Sequence, residues 1–404
     1  MTVFAPAFAT RTANVNPSVI RELLKVAARP EIISFAGGMP APELTPAADL
    51  LKAACAAFST DALAHAALQY GQSEGYMPLR EWIQQDLLRE GIAVPVDQIL
   101  ITTGSQQGID LLAKVFVDPG DPVVVANPTF LGALQAFNAV EASYIAIDCD
   151  DEGILTAPLE AALAQRRPKL VYLNPVFQNP TGQSMSPART QQVYNLARDY
   201  GVPILEDDPY GELYFGTQRP KPMKSLDQDG LVMLLRTFSK TIAPGLRVAY
   251  AVLHPEVLRR VMPLKQSADL HTSAFNQVMV HHYLTVADYD SHLSRLRATY
   301  KRRYEVMKRA IDACFPESVT TTEPDGGLFI WARLPDTMSA APILEAALKE
   351  KVAFIPGQAF FAHHQGANTM RLNFSNATEA RIEEGISRLG AVLETQASFA
   401  SPSV

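Results

Sequence analysis

The sequence predicts an α/β protein: a doubly wound, mostly parallel sheet followed by a smaller α+β lobe. Short apolar strand patterns alternate with helical patterns from about residue 99 to residue 253, which is typical of a sheet with helical crossovers. Residues 315–404 alternate strand and helix patterns a second time. The 404 residues are 48% hydrophobic, sufficient for a large core and more than one lobe.

The composition excludes several classes of function. The net charge of -7 disfavours binding to nucleic acid or to an anionic membrane. The cysteines Cys55, Cys149 and Cys314 form no CxxC pair, so we expect neither a disulfide framework nor a thiolate metal site. Residues 1–16 lack a secretory signal pattern, and no apolar stretch has the length of a membrane helix. We therefore expect a cytoplasmic protein that does not span a membrane.

The N-terminal elements come first in chain order. Residues 1–16 predict an irregular arm, and residues 17–25 predict a short amphipathic helix with Ser18 as a candidate cap. The segment 32–44 contains Gly37, Gly38 and two prolines, so we expect a loop whose backbone allows close approach. Further helices are predicted at 47–58, 78–90, 109–116, 129–140, 157–165 and 187–200. Strands are predicted at 99–102, 122–126, 143–147, 169–173, 203–205, 231–235 and 249–253.

Polar residues come directly after several of these strands. Residues 104–107 follow the strand at 99–102, where free N–H groups and the helix dipole can bind an anion. Asn179 lies in the loop after the strand at 169–173, and its amide can donate to a ring hydroxyl or phenolate oxygen. Doubly wound sheets bind ligands beyond the carboxyl ends of their strands. We therefore expect these residues to form one site.

Three acidic residues, Glu206, Asp207 and Asp208, follow the strand at 203–205. Consecutive carboxylates at a buried strand end repel one another, so at least one needs a cation. A protonated pyridine nitrogen is one such partner, and a magnesium ion is the alternative. The sequence has no Walker-type nucleotide loop, which argues against magnesium, and we predict no metal site.

Lys240 lies between the strand at 231–235 and the breaker Pro244-Gly245. Burial and the guanidinium of Arg247 would lower its pKa, and imine formation with an aldehyde requires a neutral amine. Thr237 and Ser239 offer hydroxyls that, together with Arg247, suit a phosphate dianion. An amine beside a phosphate site predicts pyridoxal 5'-phosphate (PLP), which carries an aldehyde and a phosphate. A surface Ser-Lys turn is the competing interpretation.

The C-terminal part predicts a long charged helix at about 288–314 that bridges two lobes, and then the smaller lobe. That lobe has strand patterns at 328–331, 352–355 and 369–374 and helical patterns at 341–351 and 379–395. Arg371 is alone on its apolar strand, and such an arginine binds a carboxylate of a ligand or of the protein itself. The histidine pairs at 281–282 and 363–364 lack metal-ligand spacing.

These segments, in this order, resemble the class I/II aminotransferases of PLP fold type I over essentially the whole chain. The motifs that carry the resemblance are Gly104-Ser105-Gln106-Gln107, Asn179-Pro180-Thr181-Gly182, Asp207-Asp208-Pro209-Tyr210, Ser239-Lys240 and Arg247. The resemblance implies an enzyme that transfers the α-amino group of an L-amino acid to a 2-oxo acid by a ping-pong mechanism. It also implies that Lys240 forms an aldimine with PLP and then moves the proton between the α-carbon and the cofactor.

The same resemblance implies roles for further residues. Asp207 would pair with the pyridinium nitrogen, and Asn179 and Tyr210 would bind the ring oxygen. Phe130 would stack on the ring, where many relatives carry a tyrosine, and Arg371 would clamp the substrate α-carboxylate. The residues that would hold the phosphate are Ser105, Gln106, Thr237, Ser239 and Arg247. Tyr70 would reach the phosphate of the neighbouring subunit, which implies a homodimer with shared active sites.

Within this family, residues 18–25 and 33–44 look closest to the 2-aminoadipate and kynurenine/aminoadipate aminotransferases. The resemblance implies that Arg21 reads the distal carboxylate of an acidic donor, with Gly38 also at the substrate. 2-Aminoadipate or glutamate would then be the favoured donor and 2-oxoglutarate the acceptor, with aromatic or aliphatic donors accepted. A solvated or salt-bridged Arg21 is the competing interpretation.

We expect three segments: an N-terminal arm and substrate lid at 1–45, a large PLP-binding domain at 46–287, and a bridging helix with a small domain at 288–404. One alternative function is a PLP lyase or decarboxylase of the same fold, because the cofactor motifs do not select which bond at the α-carbon breaks. A second is an aminotransferase-like domain of a transcription regulator, disfavoured because about thirty residues precede Gly37. A metal-dependent hydrolase using the acids at 206–208 is the third.

Overall fold

Eight strands form the central sheet of the computed structural model, which describes residues 7–9, 12, 23, 25, 27 and 29–400. The strands of the protein are β1 (Ile33–Ser34), β2 (Ile99–Thr102), β3 (Pro122–Asn127), β4 (Ser143–Asp150), β5 (Gly153–Ile154), β6 (Leu170–Leu173), β7 (Ile204–Asp207), β8 (Val232–Thr237), β9 (Ala249–Val252), β10 (Thr320–Thr321), β11 (Phe329–Arg333), β12 (Val352–Ala353), β13 (Ile355–Pro356) and β14 (Thr369–Asn373). The helices are α1 (Ala47–Ala56), α2 (Asp61–Leu68), α3 (Met77–Arg89), α4 (Ser105–Phe116), α5 (Leu131–Ala139), α6 (Thr156–Arg166), α7 (Pro187–Tyr200), α8 (Pro255–Asp269), α9 (Ala274–Val286), α10 (Tyr289–Cys314), α11 (Ala340–Lys349) and α12 (Glu379–Ala400).

The central sheet has the strand order β2-β9-β8-β7-β6-β3-β4-β5. The neighbours from β8 through β4 pair in parallel, whereas β9 pairs antiparallel with both β2 and β8. Strand β2 therefore points the same way as β8, and the predicted doubly wound, mostly parallel sheet is confirmed. The junctions after β2, β3, β6, β7 and β8 consequently lie along one edge of the sheet.

Alternate residues of each central strand pack on opposite faces, as the two-residue period of a strand requires. In β3, Val123 and Val125 face one apolar core, and Val124 and Ala126 face the other. Helices α4, α5 and α8 cover the first face, and α6 and α7 cover the second. Both faces of these strands are buried, which explains their near-continuous apolar sequence.

A second, four-stranded sheet has the order β10-β11-β14-β13 and is antiparallel. Its apolar face packs with α10 and α12 around residues such as Phe329, Leu372 and Phe374. Strand β1, near the N-terminus, pairs in parallel with β12, so residues from the two ends of the chain share one part of the fold. The boundaries at residues 45 and 288 stay a prediction.

Three helices that the sequence analysis did not predict are α2, α8 and α9. Pro263 lies inside α8, and a proline in a helical pattern is ordinarily a signal against a continuous helix. Helix α4 also begins four residues earlier than predicted, at Ser105, so the polar residues of that motif form its first turn. The predicted helix at 17–25 lies largely outside the described residues. Among the described helices, none is long and apolar enough to cross a bilayer.

Candidate active site

A cavity of about 350 Å³ opens at the carboxyl edge of the central sheet. Of the fourteen residues predicted to bind the cofactor or the substrate, twelve line this cavity: Gly38, Ser105, Gln106, Phe130, Asn179, Asp207, Tyr210, Thr237, Ser239, Lys240, Arg247 and Arg371. Most come from the junctions after β2, β3, β6, β7 and β8, and Arg371 comes from β14 of the second sheet. The cavity therefore lies between the two sheets.

The remaining two residues are Tyr70 and Arg21. Tyr70 follows α2, is 79% exposed, and contacts His271 edge-on with the ring centroids 5.9 Å apart. It does not line the cavity of its own chain. Arg21 lies outside the described residues, but Leu23 is described and packs against an apolar cluster that contains Phe360 and Leu131, both of which line the cavity.

The Lys240 side chain enters the cavity, where its Nζ donates a hydrogen bond of 2.8 Å to the Gly38 carbonyl. Burial, together with the guanidiniums of Arg371 and Arg247, lowers the pKa of Lys240 to about 8, and Asp207 opposes the shift. A substantial fraction of this amine is therefore neutral near physiological pH, in contrast to an exposed lysine. The amine is suited to nucleophilic attack on an aldehyde.

Asp207 ends β7 and is buried in the floor of the cavity. Its Oδ2 accepts a 2.8 Å hydrogen bond from the Tyr172 hydroxyl, whereas its buried Oδ1 has no partner among the described residues. Burial raises the pKa of Asp207 to about 7, and the hydroxyl of Tyr172 opposes this rise. The carboxylate thus offers one free oxygen to a cationic group that enters the cavity.

The two acids beside Asp207 have separate protein partners. Glu206 accepts hydrogen bonds from the backbone N–H groups of Met223 (2.7 Å) and Lys224 (2.8 Å). Asp208 accepts from Arg236 Nε and from the Gly211 N–H, both at 2.8 Å. The three carboxylates therefore do not converge on one point, and the magnesium interpretation of this motif loses its geometric basis.

A group of carboxylates close enough to share a metal does occur elsewhere among the described residues, at Asp86, Glu90 and Glu212. Arg219 Nη1 lies 2.7 Å from Glu90 Oε1 and 2.6 Å from Glu212 Oε1. Guanidinium groups therefore already neutralise this cluster.

Arg371 and Asn179 form one hydrogen-bonded unit in the cavity wall. Arg371 Nη1 donates to Asn179 Oδ1 and Nη2 donates to the Ala36 carbonyl, both at 2.6 Å, while the buried Nε has no partner among the described residues. The guanidinium lies over the rings of Phe329 and Phe360, 4.3 and 5.0 Å from their centroids. Burial lowers the pKa of Arg371 to about 10, so this cation has much to gain from an incoming carboxylate.

The hydroxyls and amides at the opposite end of the cavity surround the start of α4. Thr237 Oγ1 lies 2.9 Å from Ser239 Oγ, and the buried Ser105 Oγ has no partner among the described residues. The Gln106 side chain donates to the Gly132 carbonyl at 2.7 Å, which leaves its backbone N–H at the helix N-terminus for an anion.

Arg247 reaches this end of the cavity because Gly104 has no side chain. A Cβ at Gly104 would lie 2.1 Å from Arg247 Nη2, and Gly104 has a φ of +79°. A glycine is therefore required there both by the close approach and by the backbone conformation. The result is a guanidinium beside the first turn of α4, as an anion site requires.

Several cavity residues were not assigned a role from the sequence. Asn174 links two predicted residues, since its Nδ2 donates to the Asp207 carbonyl at 2.6 Å and its Oδ1 accepts from the Asn179 N–H at 2.7 Å. Asn174 could have been identified from the sequence, because it comes directly after a buried strand. Leu131, Gln135 and Phe360 also line the cavity, but no sequence motif marks them. Gln135 lies one helical turn after Leu131 on α5, so both face the same way.

Known proteins are similar to this chain over nearly its whole length. The family profile described as aminotransferase class I and II matches residues 42–389. The chain is 41% identical to the 2-aminoadipate transaminase of Thermus thermophilus over 97% of both chains. It is 40% identical to aromatic-amino-acid aminotransferase 1 of Thermococcus litoralis, over 96% of this chain and 94% of that one.

A solved structure shares the whole fold. It is the α-aminoadipate aminotransferase of Thermus thermophilus in complex with N-(5'-phosphopyridoxyl)-L-leucine, with a TM-score of 0.91 and 39% identity, covering 97% of this chain and 98% of that one. Its ligand is a derivative of the cofactor that the sequence analysis predicted here. The fold type I architecture predicted for this chain is confirmed by that likeness.

Proposed function

This chain belongs to the class I and II aminotransferases and is a PLP-dependent enzyme, and from that premise we propose that its favoured amino donors are 2-aminoadipate and glutamate, with 2-oxoglutarate as the acceptor. The name of the Thermus thermophilus relative supports the first donor. The donor range extends to aromatic and aliphatic amino acids, a breadth supported by the name of the Thermococcus litoralis relative.

The cavity suits PLP at three separate points. Asp207 Oδ1 is buried and unpartnered among the described residues, and a pyridinium N–H would satisfy it. Ser105 Oγ, also without a described partner, lies with Arg247 and the first turn of α4, where a phosphate would fit. The Lys240 amine lies in the same cavity. The orphaned Asp207 oxygen is the observation that carries this assignment, because burial without a partner is costly.

Each residue then has a role toward the cofactor. Asp207 would hold a proton on the ring nitrogen, Asn179 and Tyr210 would bind the ring oxygen, and Phe130 would pack against the ring. Ser105, Thr237, Ser239, Arg247 and the backbone at Gln106 would hold the phosphate. When bound, PLP supplies an electron sink for the electron pair left at the substrate α-carbon.

The chain itself supplies orientation and proton transfer. Arg371 binds the α-carboxylate common to amino and oxo acids, which directs the α-hydrogen toward Lys240. With PLP bound, the neutral amine of Lys240 Nζ would be the group that accepts the proton from the substrate α-carbon and holds it for return. The second half-reaction runs the same steps in reverse with the oxo acid, as the ping-pong mechanism of the family requires.

The mouth of the cavity supports a donor with a long side chain. We define the mouth by three lining residues, Leu131, Gln135 and Phe360, of which Gln135 is exposed, and Leu23 and Leu131 both pack on the apolar cluster that includes Phe360. Because Leu23 packs there, we assign recognition of the distal carboxylate of 2-aminoadipate to Arg21, two residues earlier in the sequence. Gly38 lines the cavity on the same side as the Lys240 amine and leaves room for the substrate.

A homodimer that shares its active sites is part of the proposal. Leu51 (66% exposed), Phe58 (50%), Leu68 (70%) and Tyr70 (79%) present large apolar side chains on or beside α1 and α2. Such a patch is a common mark of a protein interface. Tyr70, which is exposed and does not line the cavity of its own chain, would enter the partner's cavity. The free thiols of all three cysteines support the expected cytoplasmic location.

A single-turnover experiment tests the donor assignment. The purified holoenzyme is mixed with one amino acid at a time, without an oxo acid, and the visible absorbance of the bound cofactor is followed. We expect the largest kcat/KM for 2-aminoadipate and glutamate, and a loss of that lead in Arg21→Ala. A lead for aromatic or branched donors that is unchanged in Arg21→Ala would leave the enzyme class standing and overturn the donor assignment.

A further inference from the structure

Asp208 is a buried carboxylate immediately beside Asp207, with a side chain 2% exposed. It does not line the cavity, and no role in the reaction was assigned to it above. Its Oδ1 accepts from the Gly211 N–H, and a Cβ at Gly211 would lie 2.6 Å from that oxygen. Asp208 thus closes a tight turn over Pro209 and Tyr210, and Tyr210 is one of the residues proposed to bind the cofactor ring.

Arg236 of β8 supplies the positive charge that Asp208 needs. Its Nε donates to Asp208 Oδ2 at 2.8 Å, and its two Nη atoms form a fork with Glu90 at 2.7 and 2.9 Å. Burial alone would lower the pKa of Arg236, but the carboxylates of Asp208 and Glu90 raise it well above its ordinary value. This guanidinium therefore stays charged between two carboxylates in the interior.

The ion pair continues into a larger network behind the cavity. Arg219 contacts both Glu90 and Glu212, and Glu212 accepts from Arg297 Nη2 at 3.0 Å. Arg297 belongs to α10 and also donates through Nε to the Glu212 carbonyl at 2.7 Å. The turn at 208–212 is consequently fixed from the large sheet by Arg236 and from the bridging helix by Arg297.

Charge at Asp208 matters because Asp207 must remain anionic to hold a pyridinium. Asp207 is already buried, with one hydrogen bond from Tyr172, and the neighbouring Asp208 charge further raises its pKa. In an interior of low polarity, an uncompensated neighbouring carboxylate strongly favours the protonated form. A protonated Asp207 would lose most of its attraction for a cationic ring nitrogen.

We propose that the Arg236–Asp208 ion pair is a positioning device for the cofactor: it cancels the charge of Asp208, so that Asp207 presents a carboxylate to the ring, and it fixes the turn that carries Tyr210. Arg236 and Asp208 act through Asp207 and Tyr210 and touch neither cofactor nor substrate. The inference rests on the role of Asp207 in the proposed function.

A rescue experiment separates charge cancellation from simple support of the fold. The dissociation constant of PLP is measured by titrating cofactor-depleted protein, for the unchanged enzyme, Arg236→Met, Asp208→Asn with Arg236→Met, and Arg236→Lys. Arg236→Met leaves Asp208 without its cation and raises the dissociation constant about tenfold or more. The double variant removes the charge that needed cancelling, keeps an oxygen for the Gly211 N–H, and restores the constant to within about threefold of the original.

Arg236→Lys is an independent test of charge cancellation, and it remains usable if Arg236→Met does not fold. It keeps a cation beside Asp208 but loses the fork to Glu90, so under charge cancellation it retains cofactor affinity within about threefold. A double variant no better than Arg236→Met, or an Arg236→Lys as poor as Arg236→Met, would overturn the proposal. Equal affinity of Arg236→Met and the unchanged enzyme would also do so.

Two controls distinguish the possible failures. Arg189→Met removes another buried arginine, which binds Asp150 far along the sheet and does not line the cavity, and it should lower thermal stability without altering cofactor affinity. Asp207→Asn tests the premise directly. If Asp207→Asn binds PLP normally, the proposed role of Asp207 fails; if it binds poorly while Arg236→Met is normal, only the ion-pair inference fails.

Discussion

The two ends of the cavity differ in how they are built. At the inner end, the residues proposed to hold the cofactor come from strand ends of one sheet, and hydrogen bonds from Tyr172 and Asn174 tie Asp207 and Asn179 in place. At the mouth, Leu131 and Gln135 come from helix α5 and Phe360 comes from a short 3-10 helix of the smaller lobe, against whose apolar cluster Leu23 of the N-terminal segment packs. The inner end is therefore preorganised by one sheet, whereas the mouth is formed by elements from different regions of the chain.

From this difference we infer where reaction and selectivity are located. Chemistry requires fixed atoms, and a sheet edge supplies them because parallel strands end side by side. Selection among donors requires only a change of side chains at the mouth, which leaves the sheet untouched. Substitutions at the inner end should therefore affect all donors alike, whereas substitutions at the mouth should change their ranking.

The largest effect is expected for Lys240→Ala. Loss of the amine that lines the cavity should reduce kcat by about 10⁴-fold or more for every donor, while PLP remains bound through the phosphate end. Stopped-flow absorbance of the half-reaction measures this. Lys52→Ala, at an exposed lysine on α1, is the matched control, and full activity of Lys240→Ala would remove this residue from the mechanism.

The second-largest effect is expected for Asp207→Asn, which should lower kcat by about 10²- to 10³-fold. This is comparable to the loss of a preorganised electrostatic group in other enzymes. An amide cannot balance the charge of a ring-nitrogen proton, so the electron sink becomes weaker. The loss should be equal for 2-aminoadipate and for leucine. A loss confined to one donor would place Asp207 on the substrate side of the cavity.

Arg371→Lys should lower kcat/KM about 10- to 100-fold for all donors and oxo acids, because a lysine cannot form two parallel bonds to a carboxylate. The effect should be the same for amino acids that differ only in their side chains. Arg333→Lys, an exposed position on the neighbouring strand β11, serves as the control. A donor-dependent loss in Arg371→Lys would contradict the proposed clamp.

The depressed pKa of Lys240 predicts how cofactor uptake depends on pH. Since burial and two guanidiniums lower it to about 8, the neutral fraction of the amine in cofactor-free protein should rise about tenfold from pH 7 to pH 9. The rate of covalent PLP incorporation should rise in parallel and level off above pH 9. A rate that keeps rising to pH 10.5 would indicate an ordinary lysine.

The smallest effect is expected at the mouth, for Gln135→Leu. The Gln135 amide makes no hydrogen bond within the described part of the chain and can donate to a distal carboxylate. Its loss should lower the kcat/KM ratio of 2-aminoadipate to norleucine about three- to tenfold. These two donors have the same carbon-chain length and differ in the terminal carboxylate, so an unchanged ratio would show that Gln135 does not read it.

The same contrast explains what the sequence could predict. The strand at 99–102 and the helix at 187–200 were predicted with their observed bounds, and Asp207, Lys240 and Asn179 were found because each follows a buried strand. Gln135 and Phe360 carry no local signal, since their place in the wall depends on how a helix and a distant loop pack. Helix α8 was not predicted because Pro263 lies within it. The partner of Asp208 could not be identified from the sequence because Arg236 lies on another strand.

The buried guanidinium of Arg371, held between two aromatic rings, has a consequence for how the enzyme behaves in a mixture of metabolites. In the proposed role, this guanidinium, whose Nε has no partner among the described residues, binds a carboxylate and does not distinguish an amine from a ketone. The oxo acid that serves as acceptor in one half-reaction can therefore occupy the form of the enzyme that awaits the donor. At high concentration the acceptor should become a dead-end competitor, and the flux would peak at an intermediate ratio of the two substrates.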